Sequence, residues 1–176
     1  MKNLEKKLSG GYLRSIGKSN AIALAIASQQ EFDKLFQFLF HQDRLIRMRA
    51  SDAVEKVSAT YPGYLAAHKN ELLQLLKTAA TIELQWHAAL MISRVQLSSK
   101  ELAMVWDKLT EWAMDRKQGR IVRVNSLQSL FDLSIRYPAF QKKFAAMIIK
   151  LEDEGVPSLS ARIRKLRKQK HSKNIF

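Results

Sequence analysis

The sequence repeats itself at a fixed interval, which is the distance along the chain from Ile46 to Leu84 and again from Leu84 to Val122. The two Tyr-Pro pairs, Tyr61-Pro62 and Tyr137-Pro138, are separated by twice that interval. Four apolar or small positions, at i, i+4, i+8 and i+11, keep their register in three successive copies. These positions are Ile46, Leu84 and Val122; Ala50, Ala88 and Ser126; Val54, Ile92 and Leu130; and Val57, Val95 and Leu133. Such a repeat is typical of chains that stack similar units, because one unit cannot bury its apolar face without a neighbour.

The spacing of apolar residues predicts that each repeat is helical. Side chains such as Leu35 and Leu39 recur at intervals of three and four, which places them on one helical face. The chain has only 6 Gly and 3 Pro, and most of the breakers lie between the periodic segments. Ser98 and Glu101 have the spacing of a capping box. We therefore expect an all-α chain with helices near residues 19–28, 31–41, 44–60, 63–79, 82–96, 99–117, 120–136, 138–154 and 158–170.

Residues 43–50, Asp-Arg-Leu-Ile-Arg-Met-Arg-Ala, resemble the start of the second helix of a HEAT repeat, whose pattern is D-x-x-V-R-x-x-A. Residues 119–127 are similar, and residues 160–163 look like a truncated copy. The middle repeat departs from the pattern, with Glu83 and Gln85 where Asp and Arg are usual. The resemblance implies a right-handed α-α superhelix, or solenoid, of about four helix pairs. Its second helices, 44–60, 82–96, 120–136 and 158–170, would line a concave surface.

The expected organisation has three parts. Residues 1–18 form a flexible or partly helical basic lead-in, residues 19–170 form a single HEAT-like domain, and residues 171–176 form a basic tail. The longest apolar run, residues 21–27, is far shorter than the roughly 20 residues that a membrane-spanning helix needs. We therefore expect a cytoplasmic protein.

The charge of the chain points to an anionic partner. The 176 residues include 30 Lys and Arg against 16 Asp and Glu, for a formal net charge of +14 at pH 7, and no acidic residue follows Glu154. The absence of cysteine excludes disulfides, thiolate zinc sites and cysteine nucleophiles. The four histidines lack the spacing of metal ligands, and His68 is expected on a solvated face. We expect neither a metal nor a cofactor.

The candidate partner-binding residues are mostly basic side chains on the predicted second helices. They are Arg47, Arg49, His87, Arg94, Arg120, Arg123, Arg162, Arg164, Lys165, Arg167 and Lys168. If these helices line one surface, their guanidinium groups can hold phosphates or carboxylates. An alternative stays open for Arg47 and Arg123. The recurrent arginine of HEAT repeats often braces neighbouring repeats, so these two side chains would then have a structural role.

Three functions are compatible with these features. The first is a non-enzymatic adaptor that binds another protein through its concave face and basic C-terminal helix. The second is a nucleic-acid-binding module that contacts phosphates, since aromatic residues for base stacking are scarce in the basic region. The third is a DNA glycosylase, because HEAT-like glycosylases use an aspartate flanked by tryptophans. Asp115, Trp106 and Trp112 are the residues of suitable type.

Overall fold

The computed structural model describes residues 2–12 and 15–172, and within them it contains helices and no strands. The prediction of an all-α chain is confirmed, while most of the predicted basic tail, residues 173–176, lies outside the described residues. The ten α-helices of the described residues are α1 (Lys2–Leu8), α2 (Ser19–Ala25), α3 (Gln29–Phe36), α4 (Arg44–Thr60), α5 (Lys69–Thr78), α6 (Ile82–Ile92), α7 (Ser99–Met114), α8 (Arg120–Arg136), α9 (Gln141–Asp153) and α10 (Pro157–Ser172). Short 3₁₀ helices cover Gln37–Phe40, Pro62–His68 and Pro138–Phe140. No helix among these is both long and apolar enough to cross a membrane.

The interval of the sequence repeat recurs in the helix ends. Asp43, Thr81 and Gly119 are the N-caps of α4, α6 and α8, and they are separated by the same interval as Ile46, Leu84 and Val122. Tyr61 and Tyr137 end α4 and α8 with nearly the same backbone angles, φ −123° and ψ 70° against φ −125° and ψ 87°. The repeat in the sequence therefore corresponds to helices that begin, and in two cases end, at equivalent positions.

The chain divides into two compact units, Met1–Gln96 and Leu97–Phe176, called here the N-terminal and the C-terminal unit. In the N-terminal unit, α4 packs against α2, α3 and α6, and α5 packs against α6. In the C-terminal unit, α8 packs against α7, α9 and α10. One long helix therefore lies at the centre of each unit, α4 in the first and α8 in the second, and the neighbouring helices pack around it.

His68 is buried, so the expectation that it lies on a solvated face is wrong. It ends the 3₁₀ helix Pro62–His68, in which residues three apart lie on the same side. His68 therefore faces the core together with the fully buried Leu65. Its ring stacks on Phe36 with 4.0 Å between the ring centroids, and its Nε2 atom lies 2.7 Å from the carboxylate of Asp33.

Candidate partner-binding surface

The recurrent polar position of the repeat, occupied by Arg47, Gln85 and Arg123, caps the preceding helical segment. Arg47 donates to the carbonyls of His41 and Gln42, at 2.6 and 2.7 Å. Gln85 donates to the carbonyl of Ala79 at 3.0 Å. Arg123 donates to the carbonyl of Ala113, in the last turn of α7, at 2.8 Å. The side chain at this position therefore satisfies a carbonyl at, or just after, the C-terminal end of the preceding helical segment in each repeat.

Arg123 also forms a buried ion pair. Its Nη2 atom lies 2.8 Å from a carboxylate oxygen of Glu154, and the two side chains are only 4% and 7% exposed. A guanidinium enclosed in this way has no free face for a partner. In both Arg47 and Arg123, the side chain is therefore engaged within its own unit.

Arg49 holds the segment that precedes α2. The residue is 3% exposed, and its guanidinium donates to the carbonyls of Leu8, Ser9, Gly10 and Ser15 at 2.5–3.1 Å. Gly17 packs directly against it, because a Cβ atom at Gly17 would lie 2.7 Å from Cζ of Arg49. Arg49 thus fixes backbone of its own chain and presents no donor to solvent.

Arg94 and His87 are engaged within the N-terminal unit. Arg94 binds the carboxylate of Glu55 and donates to the backbone carbonyl of Glu55 and the hydroxyl of Ser58, each at 2.7 Å. The Nδ1 atom of the buried His87 donates to the carbonyl of Glu83 at 2.7 Å, and its Nε2 atom lies 3.8 Å from Asp52. The donors of both side chains are thus directed to the N-terminal unit itself.

Asp52 is the centre of a polar cluster that the sequence did not reveal. The hydroxyl of Ser19 and the ammonium of Lys56 both donate to it, and its side chain is 15% exposed. Burial acts to raise the pKa of the Asp52 carboxyl, but the nearby imidazole of His87 and the hydrogen bonds from Lys56 and Ser19 outweigh this effect and hold the pKa well below its usual range. The only sequence signal was the i,i+4 spacing of Asp52 and Lys56. Because Ser19 is fully buried, the cluster stabilises the fold and offers no accessible nucleophile.

The residues that the structure describes contain no cluster of three or more His, Asp or Glu side chains suited to a metal ion.

Helix α10 leaves part of its basic surface unpaired. Leu159, Ile163 and Leu166 are buried along one side of the helix. At 3.6 residues per turn, Arg164, Lys165 and Lys168 lie on the opposite side, and all three are exposed. None of the three makes an ion pair or hydrogen bond to the described part of the chain. These three residues, called here the basic face, are the predicted site residues that the structure places together in solvent.

The remaining predicted residues differ in their surroundings. Arg162 donates to the side chain of Gln128 at 2.8 Å, and burial lowers the pKa of its guanidinium against the opposing effect of Asp132. Arg167 pairs with Glu152 at 2.7 Å. Arg120 is exposed at the first turn of α8. Arg162 and Arg167 thus attach α10 to its neighbours, one on each side of the basic face.

An apolar groove lies beside α10. It has a volume of about 270 Å³, and its walls come from α8, α9 and α10. Its main apolar lining is Phe131, Ile135, Phe144, Ile148, Ile149 and Leu166. Ile149 is 61% exposed, so the groove opens to solvent. The sequence carried a signal for it, since Phe144, Ala145, Ile148 and Ile149 form an apolar stripe on α9 that is wider than one neighbouring helix can cover.

The three residues considered for glycosylase chemistry do not form an open site. Trp106 and Trp112 are buried in the core of the C-terminal unit. Asp115 follows α7, is exposed, and accepts a hydrogen bond from the backbone N–H of Lys117 at 2.8 Å. An extruded base needs a pocket between the acid and the aromatic rings, and these positions do not provide one.

Comparison of the chain with protein-family models, with curated proteins and with solved structures gave no match.

Proposed function

We propose that the protein is a non-enzymatic adaptor, built from HEAT-like helix pairs, that binds an acidic protein partner through the basic face of α10. The helix pairs are supported by helix starts that recur at the interval of the sequence repeat and by the capping role of the recurrent polar position. They are also supported by the packing of second helices on one another, α4 on α6 in one unit and α8 on α10 in the other. We propose that these pairs continue as a right-handed solenoid.

The observation that carries the proposal is the contrast between the basic face and the other candidate residues. Arg49, Arg94 and Arg123 donate hydrogen bonds to other residues of the chain. Arg164, Lys165 and Lys168 are exposed and have no acidic neighbour on α10. An anionic partner can bind these exposed cations without breaking an ion pair inside the protein. Binding at α10 therefore costs less free energy than binding at the enclosed arginines. The proposal therefore assigns partner binding to the last of the four predicted second helices and not to the other three.

A protein partner is favoured over nucleic acid because α10 carries the basic face and also lines an apolar groove, through Ile163, Leu166 and Arg167. Protein interfaces combine an apolar centre with a charged rim, and the groove with its neighbouring cations has this composition. A nucleic-acid backbone offers phosphates and sugars, which leave such a groove unfilled. Nucleic acid is a second candidate because no acidic residue follows Glu154, which favours contact with any polyanion.

The proposal is tested with two triple variants that change the net charge by the same amount. In the first, Arg164, Lys165 and Lys168 are replaced by Glu. In the control, the exposed Lys34, Lys77 and Lys100 are replaced by Glu. Binding of fluorescently labelled poly-L-glutamate and of a DNA duplex is measured by anisotropy at several salt concentrations.

We expect the basic-face variant to lose at least tenfold in affinity for poly-L-glutamate, and the control to change by less than threefold. Equal losses in both variants would refute the proposal, because binding would then depend on net charge and not on α10. If the protein binds the duplex more tightly than poly-L-glutamate, and the basic-face variant loses that binding, the partner is nucleic acid and not an acidic protein.

A further inference from the structure

The groove beside α10 provides a second, apolar half of the partner site. We infer that it receives the apolar side of an acidic amphipathic helix of the partner. This inference rests on the proposed function, since it specifies the form of the acidic partner that α10 binds.

The shape of the groove suits side chains presented by a helix. Three helices line it, and its lining includes the apolar side chains Phe131, Phe144 and Ile148. A groove between helices holds an amphipathic helix through apolar side chains spaced at i, i+3 or i+4, and i+7. At about 270 Å³ the groove is smaller than most pockets for small molecules, which run from about 300 to 1,000 Å³. Its size and its exposed Ile149 fit a few inserted side chains better than an enclosed ligand.

The charges that border the groove indicate which sign of charge the partner should carry. Lys142 follows the lining residue Gln141 on α9, and Arg164 lies one turn before the lining residue Arg167 on α10. Both are exposed. The acidic Glu152 is neutralised by Arg167, which is itself part of the lining. A helix that enters the groove therefore meets a positive rim, and acidic residues beside its apolar anchors are complementary to that rim.

The same charges make a second copy of this chain an unsuitable occupant. Each copy carries a formal net charge of +14, so two copies repel each other at the distances of an interface. A basic or neutral helix lacks the complementary charge as well. An acidic helix fits both the apolar walls and the positive rim.

The test is a selection from a phage-displayed library of random helix-length peptides, with the full-length chain as bait. We expect the enriched peptides to carry Leu, Ile or Phe at helical spacing and Asp or Glu beside them. An enriched peptide is then synthesised, labelled, and titrated against the protein and its variants by anisotropy.

Ile149→Asp is expected to weaken the enriched peptide at least tenfold, because it places a carboxylate among the apolar walls. Ile121→Asp is the matched control, since Ile121 is an exposed isoleucine of the same unit that does not line the groove. Ala145→Glu is a second groove variant at an exposed helical position. Circular dichroism is used to check that all three variants fold.

The result separates this inference from the proposed function. If poly-L-glutamate binding depends on the basic face while the peptides are insensitive to Ile149→Asp and Ala145→Glu, the groove inference fails and the proposed function stands. Absence of enrichment, or enriched peptides without acidic and apolar spacing, also overturns the inference. If poly-L-glutamate binding does not depend on the basic face, the proposed function fails, and the inference that rests on it fails as well.

Discussion

The ion pair between Arg123 and Glu154 gives a quantitative test of whether the recurrent arginine is structural. In Arg123→Ala, the carboxylate of Glu154 keeps only the more distant Nε of Arg116, at 3.8 Å, and the carbonyl of Ala113 loses its donor. Breaking a buried pair by removing one partner costs about 3–5 kcal/mol, because the remaining charge stays buried without compensation. We therefore expect Arg123→Ala to lower the free energy of unfolding of the C-terminal unit by about 3–5 kcal/mol.

The assay is urea unfolding followed by tryptophan fluorescence in a Trp86→Phe background. In that background, Trp106 and Trp112 report on the C-terminal unit alone. Arg120→Ala is the matched control, since Arg120 is three residues earlier on the same helix and exposed. Its effect is expected to stay within about 0.5 kcal/mol, as for most surface substitutions.

A double variant tests whether the loss of stability comes from the unpaired charge of Glu154 or from a general disruption of the fold. Arg123→Met combined with Glu154→Leu leaves no buried charge, so it is expected to recover most of the stability that Arg123→Ala loses. The reasoning is refuted if Arg123→Ala and Arg120→Ala unfold at the same urea concentration. That result would mean that Arg123 is not held in the core in solution, and it would become available again as a partner-binding residue.

Two further predictions concern the N-terminal unit. Since its folded-state pKa is depressed, the Asp52 carboxylate stabilises the fold above the ordinary aspartate pKa of about 3.9, and this contribution is lost as the pH falls below it. Asp52→Asn should therefore be less stable than wild type at pH 7, with a difference that shrinks below about pH 4 in urea titrations; a difference independent of pH would contradict the assignment. Gly17→Ala should cost about 1–3 kcal/mol, because Gly17 has φ of +55° and its added Cβ would meet Arg49. Gly63→Ala, with open space around it, should not destabilise, and thermal unfolding that shows equal losses in both variants would exclude the packing of Gly17 on Arg49.

Local periodicity was sufficient to predict much of the fold. The predicted helices 44–60 and 120–136 agree with α4 and α8 at both ends, because an N-cap and a Tyr-Pro pair define each boundary. The segments after Pro62 and Pro138 begin as 3₁₀ helices, which an apolar pattern of three and four residues does not distinguish from α-helix. The burial of His68 does not depend on that distinction, since Leu65, His68 and Leu72 are spaced at i, i+3 and i+7 and share a face in an α-helix as well.

The candidate site was harder to predict, because a list of arginines does not say where their donors point. Arg49 and Arg164 look alike in sequence, yet one is enclosed by backbone carbonyls and the other is solvated. The carbonyls around Arg49 come from positions far earlier in the chain, between Leu8 and Ser15, so no local pattern indicates them. The apolar stripe of α9 was visible in the sequence, but whether a neighbouring helix covers it depends on the packing of α8 and α10.

The central claim is that the exposed cations of α10 bind the partner while the enclosed arginines do not. Arginine Nε–H signals of the ¹⁵N-labelled full-length protein, followed by NMR during a titration with poly-L-glutamate, test it most directly. We expect the Nε–H signal of Arg164 and the backbone amides of residues 164–168 to shift, and the Nε–H signals of Arg49, Arg94 and Arg123 to stay in place. Shifts at those three arginines with α10 unchanged would contradict the assignment of the binding surface to α10.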